Sequence, residues 1–567
     1  MRLLNFYKKL LLPFFLLLLL ASGIMVFRDY GISWDENTQR NSGIVFFNHI
    51  QKVADIELVR LPGTVPKLDD YRDKEFGAAF EVLLFAGERL LQLKDYREVF
   101  LFRHLANFIF FWIGIIVFAS VIKKRFEKWY FPLIGCLMLF LHPRIFAESF
   151  YNSKDIILMI FFIFSFFSYT RLAQTGYLRH VIFLAFISAI TFNIRPVGII
   201  IPFLALLILL PRFLKYPVSR IRRKRHLVNL LLLPLLFLFF AWITNPYLWN
   251  DPFVKSYAII AKFLQYDVSH TAGNLLFLGK YIPTNKVPWF YLPLWIGIST
   301  PLVYLILVIM GMLFALKNSL YRRHLIFAHS KVWQDLFITG WLIVPVSAAI
   351  LFHSTLYDGW RHFYFLWPAM VYFAIYGLRS FIDHLDLCRE KWNYKITKLL
   401  LLLIIGVSIL ANIQTIVRYH PHQYCYFNAI APDPSENFEL DYWGLSYRDA
   451  LENLVKSDSS DTLAIRVLNL PGYLNAFMLK PVDRQRVWYD STLRENYSIR
   501  IDSYFPFTVK PNELALGKKP SYYLSNFRDT SSPDELTRYR KHESPYINQV
   551  YSLKCGQMEI MAIYKPW

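Results

Sequence analysis

The chain has 567 residues, of which 55% are hydrophobic and 18% are aromatic. Because the apolar residues are gathered in long blocks, this composition excludes an ordinary soluble protein and indicates several membrane-spanning segments. The formal net charge is +21, but much of the excess of Lys and Arg lies in short connectors between the apolar blocks. That distribution is typical of cytoplasmic loops, so we expect no nucleic-acid partner.

Hydropathy predicts an α-helical polytopic membrane protein with about eleven transmembrane helices. The predicted spans lie near residues 10–27, 100–122, 130–147, 155–171, 179–194, 196–211, 227–244, 291–316, 333–352, 362–380 and 397–417. The basic start and first apolar run resemble a signal peptide. Since Ala21-Ser22-Gly23 is a weak cleavage site, we interpret this run as a retained signal anchor.

The connectors predict the orientation of the chain. If the N-terminus is cytoplasmic, five connectors face inward, and all five are basic. They contain Lys123-Lys124-Arg125, Arg171 with Arg179, the run from Arg212 to Arg225, Lys317 with Arg322 and Arg323, and Arg389 with Lys391, Lys395 and Lys398. By the positive-inside rule, we expect a multi-pass protein of the plasma (inner) membrane with its C-terminal part extracytoplasmic.

Residues 76–93 are apolar enough to suggest a further span, but they contain Glu81, Glu88 and Arg89. Burying each such charge at the bilayer centre costs roughly 2.5–3.5 kcal/mol on insertion scales. A span here would also turn the basic 123–125 connector outward. We therefore expect an interfacial helix within a first outer loop, residues 28–99.

The tail from 418 to 567 is polar and predicts a small extracytoplasmic α/β domain, separate from a transmembrane domain of residues 1–417. Residues 446–456 have the pattern of a helix, and residues 463–468, 549–553 and 558–564 have the pattern of strands. No feature of this tail indicates catalysis. The four cysteines lack metal-ligand spacing, and whether Cys425 and Cys555 pair stays open.

A stretch rich in carboxylates and aromatic residues directly follows the first apolar block. Its sequence is Asp29-Tyr30-Gly31-Ile32-Ser33-Trp34-Asp35-Glu36. Its side chains are expected at the membrane surface, where a water-soluble acceptor can meet a lipid-borne substrate. The alternative is a hydrated loop with an interfacial aromatic belt.

Further charged residues lie near the predicted outer ends of the spans. They are Arg40, Arg144, Glu148, Lys154, Asp155, Arg195, Asp251, Asp358, Arg361 and His362. Ionisable groups at such depth are usually paired and functional. A lipid phosphate needs cations and an acceptor hydroxyl needs a base, so this combination favours a transferase that uses a membrane lipid donor.

Some of these residues have ordinary structural explanations. Arg144 could extend its guanidinium to lipid headgroups, and Asp155 could simply begin a helix. Arg195 is more specific, because it stands between two apolar segments with hardly any loop. Arg361 and His362 lie in an aromatic-rich turn that fits either function or interfacial anchoring.

These motifs resemble the polyprenol-dependent GT-C glycosyltransferases, specifically the protein O-mannosyltransferase and aminoarabinose-transferase group, glycosyltransferase family 39. The matching stretches are Trp34-Asp35-Glu36, His142-Pro143-Arg144 through Asp155, Asn193-Ile194-Arg195-Pro196, Asn245-Pro246-Tyr247-Leu248-Trp249, the Tyr357–His362 turn, and His420–Asn428 with Asp441–Gly444. The resemblance covers roughly residues 1–445.

The resemblance implies a GT-C membrane enzyme that transfers a sugar, a hexose or pentose, from a polyprenyl-phosphate donor on the outer face. The family's proposed base maps onto Asp35. A second position in the same loop could be Lys74 or Glu75, although Phe76-Gly77 replaces the family's usual Pro-Pro. Some GT-C enzymes need a divalent metal. No cofactor is certain here, and metal dependence stays open.

The predicted reaction is an inverting single displacement with Asp35 as base and Glu36 orienting the acceptor or holding an arginine. Arg195 and Arg361, together with Arg144 or Lys154, are expected to stabilise the leaving phosphate. The further site candidates are Arg40, Glu75, Asp155 and His362. The expected partners are the lipid-linked sugar, membrane lipid, and an acceptor protein, lipid or glycan.

Two alternatives stay open. A transporter or flippase of lipid-linked sugars would use similar charges, but it favours ionisable groups near the bilayer midplane and related halves. A polysaccharide ligase or polymerase would use similar donors.

Overall fold

The structure is a computed structural model that describes residues 2–61, 65–215, 220–264, 274–321, 330–387, 393–490, 512–514, 518–528 and 547–566. Its helices are α1 (Arg2–Val26), α2 (Glu36–Val53), α3 (Ala79–Leu90), α4 (Tyr96–Phe126), α5 (Tyr130–Phe140), α6 (Pro143–Tyr151), α7 (Asp155–Thr175), α8 (Leu178–Ile194), α9 (Ile200–Lys215), α10 (Arg220–Ile243), α11 (Pro252–Leu264), α12 (Tyr291–Ser299), α13 (Leu302–Tyr321), α14 (Ser330–Leu351), α15 (Trp367–Leu387), α16 (Tyr394–Arg418), α17 (Pro434–Asn437), α18 (Ser446–Ser457), α19 (Leu470–Leu474) and α20 (Pro481–Arg486). Its strands are β1 (Asn274–Phe277), β2 (Lys280–Pro283), β3 (Leu463–Val467), β4 (Val487–Tyr489), β5 (Asn512–Glu513), β6 (Tyr522–Ser525), β7 (Ile547–Cys555) and β8 (Met558–Pro566).

Helices occupy every predicted span. Among the described residues, seven helices are long and apolar enough to cross a membrane, or eight if α5 and α6, which meet at 69°, form one bent span. Shorter apolar helices cover Leu10–Val26, Leu178–Ile194 and Leu302–Asn318. The predicted single span at 291–316 is interrupted between α12 and α13, where Pro301 follows Thr300. The count of eleven and the orientation stay predictions.

The helices pack around α7 and α15, which are the most deeply buried, whereas α16 is largely exposed. Aromatic rings fill this centre: Phe162 on α7 stacks on Phe365 at 4.5 Å between ring centroids. Glycine allows α13 and α15 to approach closely, because a Cβ at Gly311 would lie 1.8 Å from the carbonyl oxygen of Phe373. The core is therefore a tightly packed helical bundle.

Helix α3 lies within residues 76–93, where the charged residues argue against a membrane span. Among the described residues, α3 is not one of the candidate membrane helices. Its two glutamates are buried and form ion pairs with Arg103 of α4. Glu81 and Glu88 thus attach α3 to the helical bundle through Arg103. Its place at the membrane interface stays a prediction.

The C-terminal region contains a mixed six-stranded sheet with the order β5-β4-β3-β6-β8-β7. Strand β3 runs parallel to β4 and β6, and β8 runs antiparallel to β6 and β7. Helix α18 covers the sheet with buried Tyr447, Ala450, Leu451 and Leu454. The predicted helix at 446–456 and the predicted strands near 463–468, 549–553 and 558–564 are confirmed, whereas the short strands β4, β5 and β6 were not predicted.

The segment between α16 and α18 joins the two parts of the molecule. Tyr424 and Trp443 are buried in the same core as the membrane helices. The amide of Asn428 donates hydrogen bonds to the carbonyl oxygens of Gly297 (2.6 Å) and Thr300 (2.7 Å). This linking segment therefore packs with the membrane helices. The domain boundary at residue 418 stays a prediction.

Candidate active site

The predicted outer ends of the helices form one face of the bundle, and the C-terminal sheet region packs on that face. The backbone N–H and C=O of Ile32, just after α1, each bond to the side chain of Asn475 at 2.9 Å. Five predicted site residues line a single cavity of about 490 Å³ there. They are Asp35, Lys154, Arg195, Arg361 and His362.

Asp35 stands immediately before α2, but its carboxylate does not cap the helix. Its neighbour Glu36 accepts the N–H of Ser33 (2.7 Å) and a hydrogen bond with His104 Nε2 (2.9 Å). Because Glu36 holds the turn, the Asp35 carboxylate can face the cavity, where it is 36% exposed. Its Oδ2 accepts a hydrogen bond from Arg361 Nη1 at 2.9 Å.

Arg361 is bound by three carboxylates. Besides Asp35, its Nη1 lies 3.3 Å from Asp155 Oδ2, and its Nη2 lies 3.1 Å from Asp358 Oδ2. Asp358 and Gly359 both have positive φ angles, 54° and 71°, so a tight turn brings the Asp358 carboxylate back to Arg361. The Nε of Arg361 has no hydrogen-bond partner among the described residues.

Arg195 has an extended backbone between α8 and a 3-10 turn at Pro196–Ile199. Its Nη2 binds Asp155 Oδ1 at 2.5 Å, and its Nε also lacks a partner within the described structure. Asp155 therefore binds both Arg195 and Arg361. Because it is only 1% exposed, its carboxylate is not open to the cavity. Asn152 supports it by accepting its N–H at 2.8 Å.

The Lys154 ammonium lies 4.2 Å from the centre of the Phe76 ring at the edge of the cavity. Burial, followed by the positive charge of Arg195, lowers the pKa of Lys154 to about 8. Phe76 is held there by a close backbone approach: a Cβ at Gly77 would lie 1.8 Å from the carbonyl oxygen of Asn193. Glycine is thus required in the position where the resembled family usually has proline.

Apolar side chains line much of the rest of the cavity. Ile199 and Ile200 line it from the start of α9, and Val344, Ala348 and Phe352 line it from the end of α14. Both helices belong to candidate membrane spans or adjoin them, and Ile199 and Phe352 are exposed. The cavity therefore joins a charged pocket to an apolar groove, a shape that fits an anionic head with a hydrocarbon tail.

Several predicted site residues lie outside this cavity. Arg144 is buried outside the cavity, where it donates to the Tyr426 carbonyl at 3.0 Å and covers the Phe427 ring. It holds the linking segment and does not reach a donor phosphate.

Three more predicted site residues line no part of the cavity. Glu36 is buried and bonds to Ser33 and His104, so its carboxylate lies away from the cavity. Arg40 pairs with Glu88 (2.9 Å), and Glu75 pairs with Lys262 (2.5 Å). Lys74, the alternative to Glu75, donates to the Asp69 carbonyl.

Sequence reasoning missed three kinds of site residue. Asp73 of the first outer loop is a half-buried carboxylate that lines the cavity, and no local motif marks it. Thr38, Gln39 and Ser42 line the cavity with Asp35, and their helical spacing could have revealed them. Arg528, which follows β6, binds Asp358 at 2.8 Å, but nothing in its local sequence signals that contact.

Within the described ranges, no group of three or more His, Cys, Asp or Glu side chains could hold a metal ion. The positive charges that line the cavity belong to Lys154, Arg195 and Arg361.

No protein-family model matches the chain, and no curated protein matches its sequence. Among solved structures, it is similar to ArnT from Cupriavidus metallidurans bound to undecaprenyl phosphate, with 12% identity over 97% of this chain and 98% of that one, at a TM-score of 0.45. It is also similar to the archaeal oligosaccharyltransferase AglB from Archaeoglobus fulgidus in complex with an inhibitory peptide and a dolichol-phosphate, with 12% identity over 91% and 70%, at a TM-score of 0.46.

Proposed function

We propose that the protein is a membrane glycosyltransferase of the GT-C type, which transfers a sugar from a polyprenyl-phosphate donor to an acceptor on the outer face with inversion. One observation carries the proposal. Two partly exposed carboxylates, those of Asp35 and Asp73, and three cations share a cavity that continues into an apolar groove between α9 and α14.

The donor phosphate binds at Arg195, Lys154 and Arg361. All three side chains line the cavity, so a phosphate within it meets three positive charges. Guanidinium groups also suit the two-pronged recognition of phosphate. The polyprenyl chain lies in the groove formed by Ile199, Ile200 and the end of α14.

Asp35 is the base. It takes the proton of an acceptor hydroxyl or amine as that atom forms a bond to the anomeric carbon. The bond from the anomeric carbon to the phosphate oxygen breaks in the same step, and attack from the opposite face inverts the configuration. The cations stabilise the charge that develops on the leaving lipid phosphate.

The remaining carboxylates have supporting roles. Asp155 and Asp358 hold the arginines in place, and Glu36 fixes the turn that presents Asp35. His362 lines the cavity and packs against Tyr357, so it borders the bound donor.

A transporter is the second candidate, but ionisable groups of transporters tend to lie near the bilayer midplane. Here they lie where α1 and α14 end and where α7 and α9 begin. A ligase or polymerase shares the same donor chemistry and differs only in its acceptor.

Labelled polyprenyl-phosphate sugars, hexose and pentose, tested with purified protein in liposomes distinguish these functions. We expect label on an acceptor lipid, peptide or glycan together with release of the polyprenyl phosphate. Movement of intact donor across the bilayer without release would instead establish a transporter.

The same proposal places the N-terminus in the cytoplasm and the sheet region outside the plasma (inner) membrane. A reporter fused after residue 430 should be extracytoplasmic, and one fused near residue 220 should be cytoplasmic. Two reporters on the same side would contradict the orientation and the outer-face reaction.

A further inference from the structure

Arg528 belongs to the sheet region but extends towards the cavity. Its backbone is held within that region, because its carbonyl accepts a hydrogen bond from Asn469 Nδ2 (3.1 Å) and its N–H donates to Asn526 Oδ1 (3.4 Å). Asn469 also donates to Asn526 at 2.8 Å. The base of the side chain is therefore fixed to the ends of β3 and β6.

The guanidinium of Arg528 crosses to the helical part. It donates to the carbonyl of Tyr442, lies 5.2 Å from the Trp34 ring centre, and its Nη2 binds Asp358 Oδ1 at 2.8 Å. The other oxygen of Asp358 binds Arg361 at 3.1 Å. Asp358 is thus a bridge between an arginine of the sheet region and the arginine that contacts Asp35.

These groups form a series of ion pairs. The carboxylates of Asp35, Asp155 and Asp358 pair with the guanidinium groups of Arg195, Arg361 and Arg528, and Glu439 lies 3.9 Å from Arg528 at the end of the series. Asp358 is 4% exposed and Arg528 is 7% exposed. Asp358 pairs with Arg361 and Arg528, so loss of Arg528 would leave one of its oxygens without a cation. Removing one partner from a buried ion pair leaves an uncompensated charge.

We propose that Arg528 is a positioning residue: through Asp358 it holds Arg361 against Asp35, so the sheet region completes the active site. Arg528 lines no part of the cavity, so it acts through its neighbours and not on the substrate. This inference depends on the proposed glycosyl transfer for its rate measurements.

Arg528→Gln and Arg528→Lys test the proposal, with Arg448→Gln as the matched control. Arg448 also crosses between the two regions, donating to the carbonyl oxygens of Arg28 (2.6 Å) and Tyr30 (2.8 Å), but it does not contact Asp358. The measurements are kcat and KM for the labelled donor, binding of undecaprenyl phosphate, and the thermal unfolding midpoint.

Arg528→Gln should lower kcat by about 10²-fold, the effect expected of a small misplacement near the chemistry. Undecaprenyl phosphate binding should change little, and Arg528→Lys should restore part of kcat. Arg448→Gln should lower kcat far less at a comparable loss of thermal stability. Equal effects of Arg528→Gln and Arg448→Gln on kcat would overturn the positioning role.

A double variant keeps the test valid if Arg528→Gln unfolds. Adding Asp358→Asn removes the uncompensated carboxylate, so the double variant should be more stable than Arg528→Gln alone. Arg528 and Asp358 act through the same series of ion pairs. The double variant should therefore have a kcat no lower than that of the slower single variant, Arg528→Gln or Asp358→Asn. A kcat lowered by the product of the two single effects would overturn the proposal. Wild-type protein that transfers no sugar would refute the proposed function, whereas wild-type transfer with an unaffected Arg528→Gln would refute only this inference.

Discussion

Two clusters of charged side chains lie next to each other at this end of the helices. The closed network consists of Glu36, Arg40, Glu81, Glu88, Arg103 and His104. The cavity rim consists of Asp35, Lys154, Arg195, Arg361 and His362. Both combine carboxylates with cations, and sequence alone gives no reason to treat them differently.

The two clusters differ in their access to the cavity and to solvent. The carboxylates of the closed network are at most 5% exposed, and each is bound by an arginine or by His104. In the rim, Asp35 is 36% exposed and lines the cavity. Buried nitrogens without a partner among the described residues occur in both clusters, at Arg195 and Arg361 in the rim and at Arg103 and His104 in the closed network. Access to the cavity, rather than charge or unpaired donors, therefore distinguishes the rim from the closed network.

The two clusters are also connected. Ser153, beside Lys154, donates its hydroxyl to Glu81 of the closed network. Glu36 and Asp35 are adjacent in the chain but belong to different clusters. The closed network thus supports the two turns that carry the rim, and substitutions in each cluster should fail in different ways.

The largest expected effect separates these adjacent carboxylates. Asp35→Asn removes the base with little change in size, so kcat should fall by about 10²–10⁴-fold while donor binding persists. Glu36→Gln should be milder and should mainly lower the unfolding midpoint, since Glu36 bonds to Ser33 and His104. Sugar transfer by purified variants checks this, and a wild-type rate for Asp35→Asn would rule out Asp35 as base.

Breaking the closed network should instead affect stability. Arg103→Gln leaves Glu81 without a cation, and loss of one buried partner costs about 3–5 kcal/mol. Thermal unfolding in detergent should show a large decrease for Arg103→Gln. Arg97→Gln is the control, because Arg97 lies on the same helix but forms no ion pair with any described residue, and its unfolding midpoint should change little. Equal unfolding midpoints for Arg103→Gln and Arg97→Gln would contradict the structural role of the network.

A smaller effect is expected at Arg195. Arg195→Lys keeps the charge but loses the planar fork that binds Asp155 and a phosphate together. Undecaprenyl phosphate should bind about ten-fold more weakly, the equivalent of one charged hydrogen bond. Arg179→Lys, an exposed exchange at the opposite end of α8, serves as control, and unchanged affinity at Arg195→Lys would reassign that arginine to structure.

The smallest effect concerns pH. Lys154 is charged below its pKa of about 8 and loses its charge as the pH rises through that value. Undecaprenyl phosphate binding should therefore weaken several-fold between about pH 7 and about pH 9. Lys154→Arg stays charged throughout this range, so its binding should vary less with pH. An identical pH dependence in both proteins would show that Lys154 does not contact the phosphate.

Much of the architecture could be predicted from local patterns. Apolar block length predicts a helix at every span, because a membrane helix must satisfy its own backbone within one segment. Helical spacing of apolar residues predicted α18, because that helix buries one face. Short apolar runs predicted β3, β7 and β8, and β8 is buried on both faces. The strands β4, β5 and β6 have two to four residues, too few for a pattern to emerge.

The site was predictable in part. The chain itself determined that Asp35, Lys154, Arg195, Arg361 and His362 end up near one surface, since each lies at the predicted outer end of a span. Only tertiary packing decided that Arg144 and Glu36 face away from the cavity and that Arg528, far along the chain, reaches the arginine beside Asp35. The physical reason is that hydropathy reports how deep a residue lies, whereas the direction of a side chain and its partners depend on how separate helices and the sheet region pack together.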